Sequence, residues 1–287
     1  MTVIERGVLS NSELRTTQGR IYYIVAFALL AFVAIVTLFP FLYAFTSGLK
    51  GSTEIFSSGL NLFPETPLWS NYSEVWVRFE LPRLLKNSFI LVGGGVMLQL
   101  AVSAAAAYAL SQLKPPGGRW ILAAFLLTLM VPGIAYFVPQ YLTIRDLGLI
   151  NSYWGVWLPY AISPFAIFVL KTFFDRIPSE IIDSARIDGA STVQIFRLII
   201  LPLSRSILIV ICIVAFVNLW RDFLLPFLVI TDPQQQPITV RLIYLTNRYG
   251  VNLQMAASFI ALLPPLLLAV VMQRYMTVGQ TVGSIKG

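Results

Sequence analysis

The chain has 287 residues, 57% of them hydrophobic and 11% charged, with a net charge of +7. Soluble domains carry about 25% charged residues, so a chain this apolar, with a mean hydropathy of +0.78, falls outside the water-soluble class and reads as a multi-span membrane protein. It has no histidine and a single cysteine, Cys212, which removes the commonest general base, any internal disulfide and any thiolate metal cluster.

Residues 1–20 form a polar tail with Arg6, Arg15 and Arg20. The apolar run 21–45 is too long for the h-region of a signal peptide, roughly 7–15 residues, and is read as a retained first span. Five further spans are predicted at 88–110, 120–140, 153–174, 207–230 and 255–272, each near the ~20 residues that cross the hydrocarbon core as a helix. The fold class is therefore all-α and polytopic, with a six-helix transmembrane domain over 21–276 and a tail over 277–287. Pro132, Pro139, Pro159, Pro164, Pro264 and Pro265 predict bent or broken helices, whose freed carbonyls need neighbours or a water-lined cavity. Ser103, Ala107 and Ser111, four apart, predict a close helix contact.

Lys and Arg set the orientation. With the N-terminus inside, inner segments hold the first three arginines, Lys114, Arg119, Lys171, Arg176, Arg186, Arg197, Arg205, Arg274 and Lys286. Outer segments hold fewer: Lys50, Arg78, Arg83, Lys86, Arg145, Arg241 and Arg248. The bias places both termini in the cytoplasm and the chain in the cell (inner or plasma) membrane. The basic residues lack the aromatic interleaving of a nucleic-acid surface, so nucleic acid is not expected as a partner. The long first outer loop carries Trp69, Tyr72 and Trp76 and suits an interfacial, partly folded segment.

Residues 178–202, between the fourth and fifth spans, form the longest charge-bearing amphipathic segment. Pro178 can open a helix, Glu180 and Asp183 suit its positive end, and Gly189 suits a left-handed stop. Ser191 and Gln194 have the spacing of a capping box, so a second helix starts there, and Pro202 marks its approximate end or a kink into span five. The pattern is helix, tight turn, helix. Ile181, Ile182, Ala185, Val193, Phe196 and Ile199 cannot all face water; either the membrane surface or a partner's groove covers them.

The segment resembles the cytoplasmic EAA loop of ABC-importer permeases: E-A-A, three residues, G, nine residues, I-x-L-P. Asp183-Ser184-Ala185 stands where E-A-A would be, Gly189 follows at the right spacing, and Ile199, Leu201 and Pro202 fall at their places. Asp for Glu and Ser for Ala are the departures. The core Arg186-Ile187-Asp188-Gly189-Ala190 is similar to that of sugar-importer permeases of the maltose type, in particular the smaller subunit of the pair. Residues 147–152, Asp222-Phe223 with Pro226, and the ending 282–287 are similar too, so the resemblance covers 21–287.

The resemblance implies a non-enzymatic transport subunit that moves a sugar (an oligosaccharide, glycoside or polyol) by alternating access. Its implied partners are a second permease subunit, two ABC ATPase subunits, an extracytoplasmic solute-binding protein and the lipid bilayer. ATP and Mg would bind the ATPases, with no cofactor in this chain. Asp183, Ser184, Ala185, Asp188, Gly189, Ala190, Phe196, Ile199, Leu201 and Pro202 are the implied coupling residues. Ser284, Lys286 and Gly287 are the implied tail contact. The alternatives are a glycerol-phosphate-type importer permease and a self-contained secondary transporter. The latter needs coupling-ion carboxylates inside its spans, where only Asp222 is obvious.

Charged side chains inside a span cost about 2.5–3.5 kcal/mol on insertion scales. Span five nevertheless carries Asn218, Arg221 and Asp222, whose spacing puts them on one face if the helix is continuous. They read either as the lining of a solute path or gate or as a polar network between subunits. The family often has Asn where Arg221 stands. Asn87, Gln99 and Tyr108 read as helix–helix contacts, Tyr153, Trp154 and Trp157 as interfacial anchors, and Asp175 and Arg176 as solvated loop. Gly93-Gly94-Gly95 lacks the Lys of a phosphate-binding loop, so this chain is not expected to bind ATP.

Overall fold

The computed structural model describes residues 16–57, 61–246 and 248–281, with the side chains of 246 and 273–281 excepted. Most of the expected tails, including Ser284, Lys286 and Gly287, lie outside the described residues. Among the described residues the regular structure is helical throughout. The elements are α1 (Thr17–Gly48), α2 (Ser70–Arg78), α3 (Leu81–Leu113), α4 (Gly118–Thr128), α5 (Gly133–Asp146), α6 (Tyr153–Ala161), α7 (Pro164–Phe174), α8 (Ser179–Ile187), α9 (Thr192–Leu203), α10 (Arg205–Arg221), α11 (Leu224–Val229), α12 (Ile238–Thr246) and α13 (Val251–Thr281). A short 3-10 turn covers Glu54–Phe56.

Three helices, α1, α3 and the Val251–Met272 part of α13, are long and apolar enough to cross a membrane unbroken. Three bent pairs qualify together, α4–α5 at 102°, α6–α7 at 46° and α9–α10 at 80°, so the count reaches the expected six if each pair is one span. Span three is not the single helix drawn over 120–140: α4 ends at Thr128, and Pro132 sits at the N-cap of α5 with ψ 130. Span four breaks at Ser163, held extended by the following Pro164. Pro139 and Pro159 stay inside helices, and α13 continues through Pro264 and Pro265.

Two compact units emerge. The first holds residues up to Tyr72 with Gly250–Phe259. Its anchor is aromatic: the Phe45 ring lies 5.0 Å from Phe259 and 5.8 Å from Tyr72, and the Tyr72 hydroxyl donates to Phe45 O at 2.9 Å. Asn71 Nδ2 donates to the Gly48 and Lys50 carbonyls, both at 2.9 Å, and buried Lys50 donates to Asn61 O. The loop after α1 is thus partly folded, as its aromatic content predicts.

The second unit is built on α3. Its 33 residues make about 50 Å of helix at 1.5 Å per residue, longer than a ~30 Å hydrocarbon core. α3 packs against α6, α7, α10 and α12. The predicted close contact is present, since Ser103, Ala107 and Ser111 are all buried. The glycine run serves packing: a Cβ on Gly94 would lie 2.2 Å from the Trp157 ring, while one on Gly93 meets nothing within 4 Å. Trp157 is therefore no free interfacial anchor. Its indole N–H donates to Leu91 O at 2.7 Å, which locks the ring over Gly94.

The two ends of α3 hold the adjoining loops. At one end Asn87 Nδ2 donates to Gln234 O at 2.8 Å and Gln236 O at 3.1 Å, Ser88 Oγ accepts from Ile238 N at 2.9 Å, and Arg83 donates to Gln234. At the other, Ser111 Oγ donates to Asp175 Oδ1 at 2.7 Å, and Gln112 Nε2 to Phe174 O at 2.9 Å. Asp175 also pairs with Lys171 at 2.6 Å. It therefore ties α3 to α7 while remaining exposed at the C-cap of α7, as expected of a residue at the start of a solvated loop.

Gly94→Ala should cost about 1–3 kcal/mol of stability through overpacking against a ring that cannot move. Gly93→Ala should be neutral or stabilising by up to about 1 kcal/mol. Thermal unfolding of the two variants in detergent checks the difference.

Candidate solute cleft and coupling element

The segment after α7 folds as its local chemistry predicts. Pro178 takes the N-cap of α8, one position earlier than a first-turn proline, and Glu180 lies in the first turn. The helix closes with a Schellman motif: Ala190 N donates to Ala185 O at 2.9 Å and Gly189 N to Arg186 O at 3.0 Å, with Gly189 at φ +83. Ser191 then caps α9 in a full capping box. Gln194 N donates to Ser191 Oγ at 3.3 Å, and Ser191 N to Gln194 Oε1 at 2.7 Å.

Pro202 lies one residue before the end of α9, close to the end or kink that it predicts. A π turn over Phe196–Ile200 precedes it, and the 80° bend falls at Ser204. Proline lacks the N–H for the carbonyl four residues back and crowds it, and a wider turn relieves that clash.

The apolar side of this helix pair divides. Ile182, Ile195 and Ile200 are buried in one cluster with Ala107, Tyr108, Leu170 and Phe174, and Ala185, Ala190, Phe196 and Leu201 pack against it. Tyr108 holds the joint, its hydroxyl donating to Thr192 O at 3.2 Å and its ring 5.0 Å from Phe196. Much of the cover for the apolar face is thus this chain's own α3 and α7. What stays open is a second face: Ile187 is 86% exposed and Val193 61%. Asp183, Ser184, Asp188, Gly189 and Pro202 are also exposed, and Ile199 is half-buried. Asp183 pairs with Arg186 at 3.3 Å.

The polar stripe of span five is rearranged. α10 ends at Arg221, and Asp222 is extended at φ -67 and ψ 126. Asn218, Arg221 and Asp222 therefore do not share one helical face. Asn218 and Arg221 remain on exposed turns of α10, while Asp222 turns away at the break before α11. There its Oδ2 accepts from the Tyr160 hydroxyl at 2.8 Å and its Oδ1 from Leu224 N at 3.2 Å.

Asp222 lines a cleft of about 300 Å³ with Tyr136, Phe137, Gln140, Pro159 and Tyr160. The cleft lies where the start of α5, the end of α6 and the start of α11 meet, so two helix breaks supply its walls. Sequence spacing singled out Asp222 but missed Tyr160, Tyr136 and Gln140, which carry no signal until the breaks bring them together. Unwound helix segments around a polar pocket are a recurring solution for solute sites in transporters.

The sequence motif at 147–152 has a structural role. Asn151, at φ +60, accepts at Oδ1 from Thr231 N (2.7 Å), Thr231 Oγ1 (2.8 Å) and Asp232 N (2.9 Å), fixing the exit of α11.

A family model described as "Binding-protein-dependent transport system inner membrane component" matches residues 84–278. The chain belongs to this family. Among relatives of this permease, the "sn-glycerol-3-phosphate transport system permease protein UgpE" of Agrobacterium fabrum is 31% identical over 267 residues, covering 89% of this chain and 95% of its own. "Protein LplC" of Bacillus subtilis is 29% identical over 291 residues, covering 95% and 97%. A crystal structure of a bacterial ABC transporter involved in import of the acidic polysaccharide alginate contains a chain of the same fold, with a TM-score of 0.80 and 24% identity over 91% of this permease and 98% of that chain. The permease is thus an inner-membrane transport component of all-α, polytopic fold.

Asp222→Ala removes both the Tyr160 bond and the bond from Leu224 N at the start of α11 and should lower stability by about 1–2 kcal/mol. Asp222→Asn retains an acceptor for Leu224 N and should cost less. Unfolding midpoints in detergent read the order directly.

Proposed function

We propose that this permease is the smaller membrane subunit of an ATP-driven ABC importer for a sugar or related polyol, working by alternating access. Family membership supports the importer reading. The observation that carries the coupling mechanism is the exposed side of the α8–α9 pair: a rigid, capped helix–turn–helix with Ile187 and Val193 uncovered beside Asp183, Ser184 and Gly189. In this reading an ABC ATPase covers that face, binds ATP and Mg itself, and moves α8–α9 as one body against α3. ATP must bind the two conformations unequally, since equal affinity shifts nothing. A second permease completes the pathway, a solute-binding protein delivers solute to the outer side, and both termini lie in the cytoplasm. The tail residues Ser284, Lys286 and Gly287 would add a second ATPase contact. The domain limits proposed are 1–20, 21–276 and 277–287.

The glycerol-phosphate reading is favoured by one observation, the name of the Agrobacterium fabrum relative and its 31% identity.

Ile187→Glu tests the coupling face. The side chain is 86% exposed, so folding should be unaffected. Co-purification of the ATPase with the tagged permease should fall at least several-fold, and ATP-driven uptake with it. Full co-purification and uptake in this variant would overturn the docking assignment.

A further inference from the structure

We infer that a second cleft, at the root of α8, is a phospholipid headgroup site, and that it takes a phosphoethanolamine headgroup, which carries a phosphate and a primary ammonium together. This goes beyond the importer reading and does not depend on which solute the permease moves.

The cleft holds about 630 Å³ and lies where three helices meet: residues 111, 112 and 114 line it from the end of α3, 171 and 175–178 from the end of α7, and 179–180 from the start of α8. α3 crosses the membrane unbroken and α7 is half of a bent span, so a cleft between their ends lies where hydrocarbon gives way to headgroups. α4, which packs against α7 and the π turn ending α3, starts at the same level. Its Trp120 is 68% exposed, with the Arg119 guanidinium 4.9 Å from the ring centre. An exposed Trp beside an Arg at a helix end is the pattern of an interfacial anchor.

The charges select the guest. Asp175 and Lys171 neutralise each other, and Ser111 Oγ occupies the other carboxylate oxygen. That leaves Lys114, Arg176 and Glu180, all exposed, whose side chains have no ion-pair or hydrogen-bond partner among the described residues. Lys114 stands at φ +45 and ψ 58, a left-handed stop whose N–H donates to Ala109 O at 3.1 Å. Glycine takes that conformation without strain and lysine does not, so this lysine carries strain that no partner within the described residues offsets.

Two free cations and one free carboxylate around one cleft match a guest with charges of both signs. Lys114 and Arg176 suit a phosphodiester, whose oxygens an arginine can bind bidentately. Glu180 only accepts, and a primary ammonium supplies three donors. A choline headgroup has no N–H for Glu180, and a glycerol headgroup has no positive charge. Basic clefts between membrane helices are recurring headgroup sites; the carboxylate narrows this one. Ile187, on the open coupling face, lies seven residues beyond Glu180 on α8, about 10 Å by helical rise, so headgroup and ATPase can be bound together.

The test is native mass spectrometry of the full-length permease released from detergent micelles, with phosphatidylethanolamine, phosphatidylcholine and phosphatidylglycerol added in equal amounts. The wild type should retain phosphatidylethanolamine several-fold over each of the others. Arg176→Gln should lower that retention by on the order of tenfold, the effect of losing one charge-assisted hydrogen bond. Lys114→Gly should do the same while the lipid-free protein melts at the same temperature or higher, because glycine relieves the left-handed backbone; a merely structural lysine would not separate the two readouts. Glu180→Gln should bring phosphatidylglycerol level with phosphatidylethanolamine. Equal retention of the three lipids by the wild type, or unchanged retention in either cation variant, would overturn the inference. So would displacement of the lipid by an equal concentration of free phosphoethanolamine, which would assign the cleft to a soluble phosphate ester. Loss of ATPase co-purification in Arg176→Gln with lipid retention intact would overturn it too, by assigning the cleft to the ATPase.

Discussion

Every backbone N–H and C=O inside the hydrocarbon must find a partner within the protein, and this constraint governs where the chain can break. Besides the bend at Ser204, the helical runs are interrupted at 129–132, 162–163 and 222–223. The last three carry their own remedies. Pro132 brings no N–H to satisfy. Ser163 Oγ accepts from Ala166 N at 3.2 Å. Asp222 Oδ1 accepts from Leu224 N. The capping residues are thus what make the breaks tolerable, and the breaks create the cleft. Asp222 serves both ends, since the carboxylate that bonds Leu224 N is the one presented in the cleft.

The rest of the second unit depends on α3 remaining unbroken. Small residues along its length let α6, α7 and α10 approach closely, and a Cβ at Gly95 would meet the Leu219 side chain at 2.2 Å. Because α3 outruns the hydrocarbon core, its two ends are free to hold loops. Asn87 and Ser88 hold the segment around Gln234–Ile238; Tyr108, Ser111 and Gln112 hold the root of α8–α9. One rigid helix thereby links opposite ends of the unit. The π turns Ala109–Leu113 and Phe196–Ile200 flank the Tyr108–Phe196 contact, placing the less regular backbone where the helix pair meets the bundle.

The helix pair itself shows how an amphipathic segment can satisfy two demands at once. Ile182, Ile195 and Ile200 bury against the chain's own core, which fixes the orientation of α8 and α9. That leaves Ile187 and Val193 uncovered on a face already held rigid by the Schellman and capping-box bonds. A partner meeting this face has little ordering entropy to overcome.

The spans, the cap and stop residues of α8–α9 and the close contact at Ser103, Ala107 and Ser111 were legible in the sequence, because they rest on local periodicity and on residues acting within a turn or two of themselves. Asp222 was legible as an anomaly, a charge inside an apolar run. Its role was not. Spacing assumed a continuous helix and grouped it with Asn218 and Arg221, whereas the break after Arg221 turned it toward Tyr160, distant in sequence. Likewise, the division of the apolar face between the chain's own core and an open surface could not be read from composition, since Ile182 and Ile187 are chemically identical. Local order is encoded over a few residues and survives any packing; which groups meet across a break, and which face remains uncovered, depends on contacts between distant segments and so was decided only by the tertiary structure.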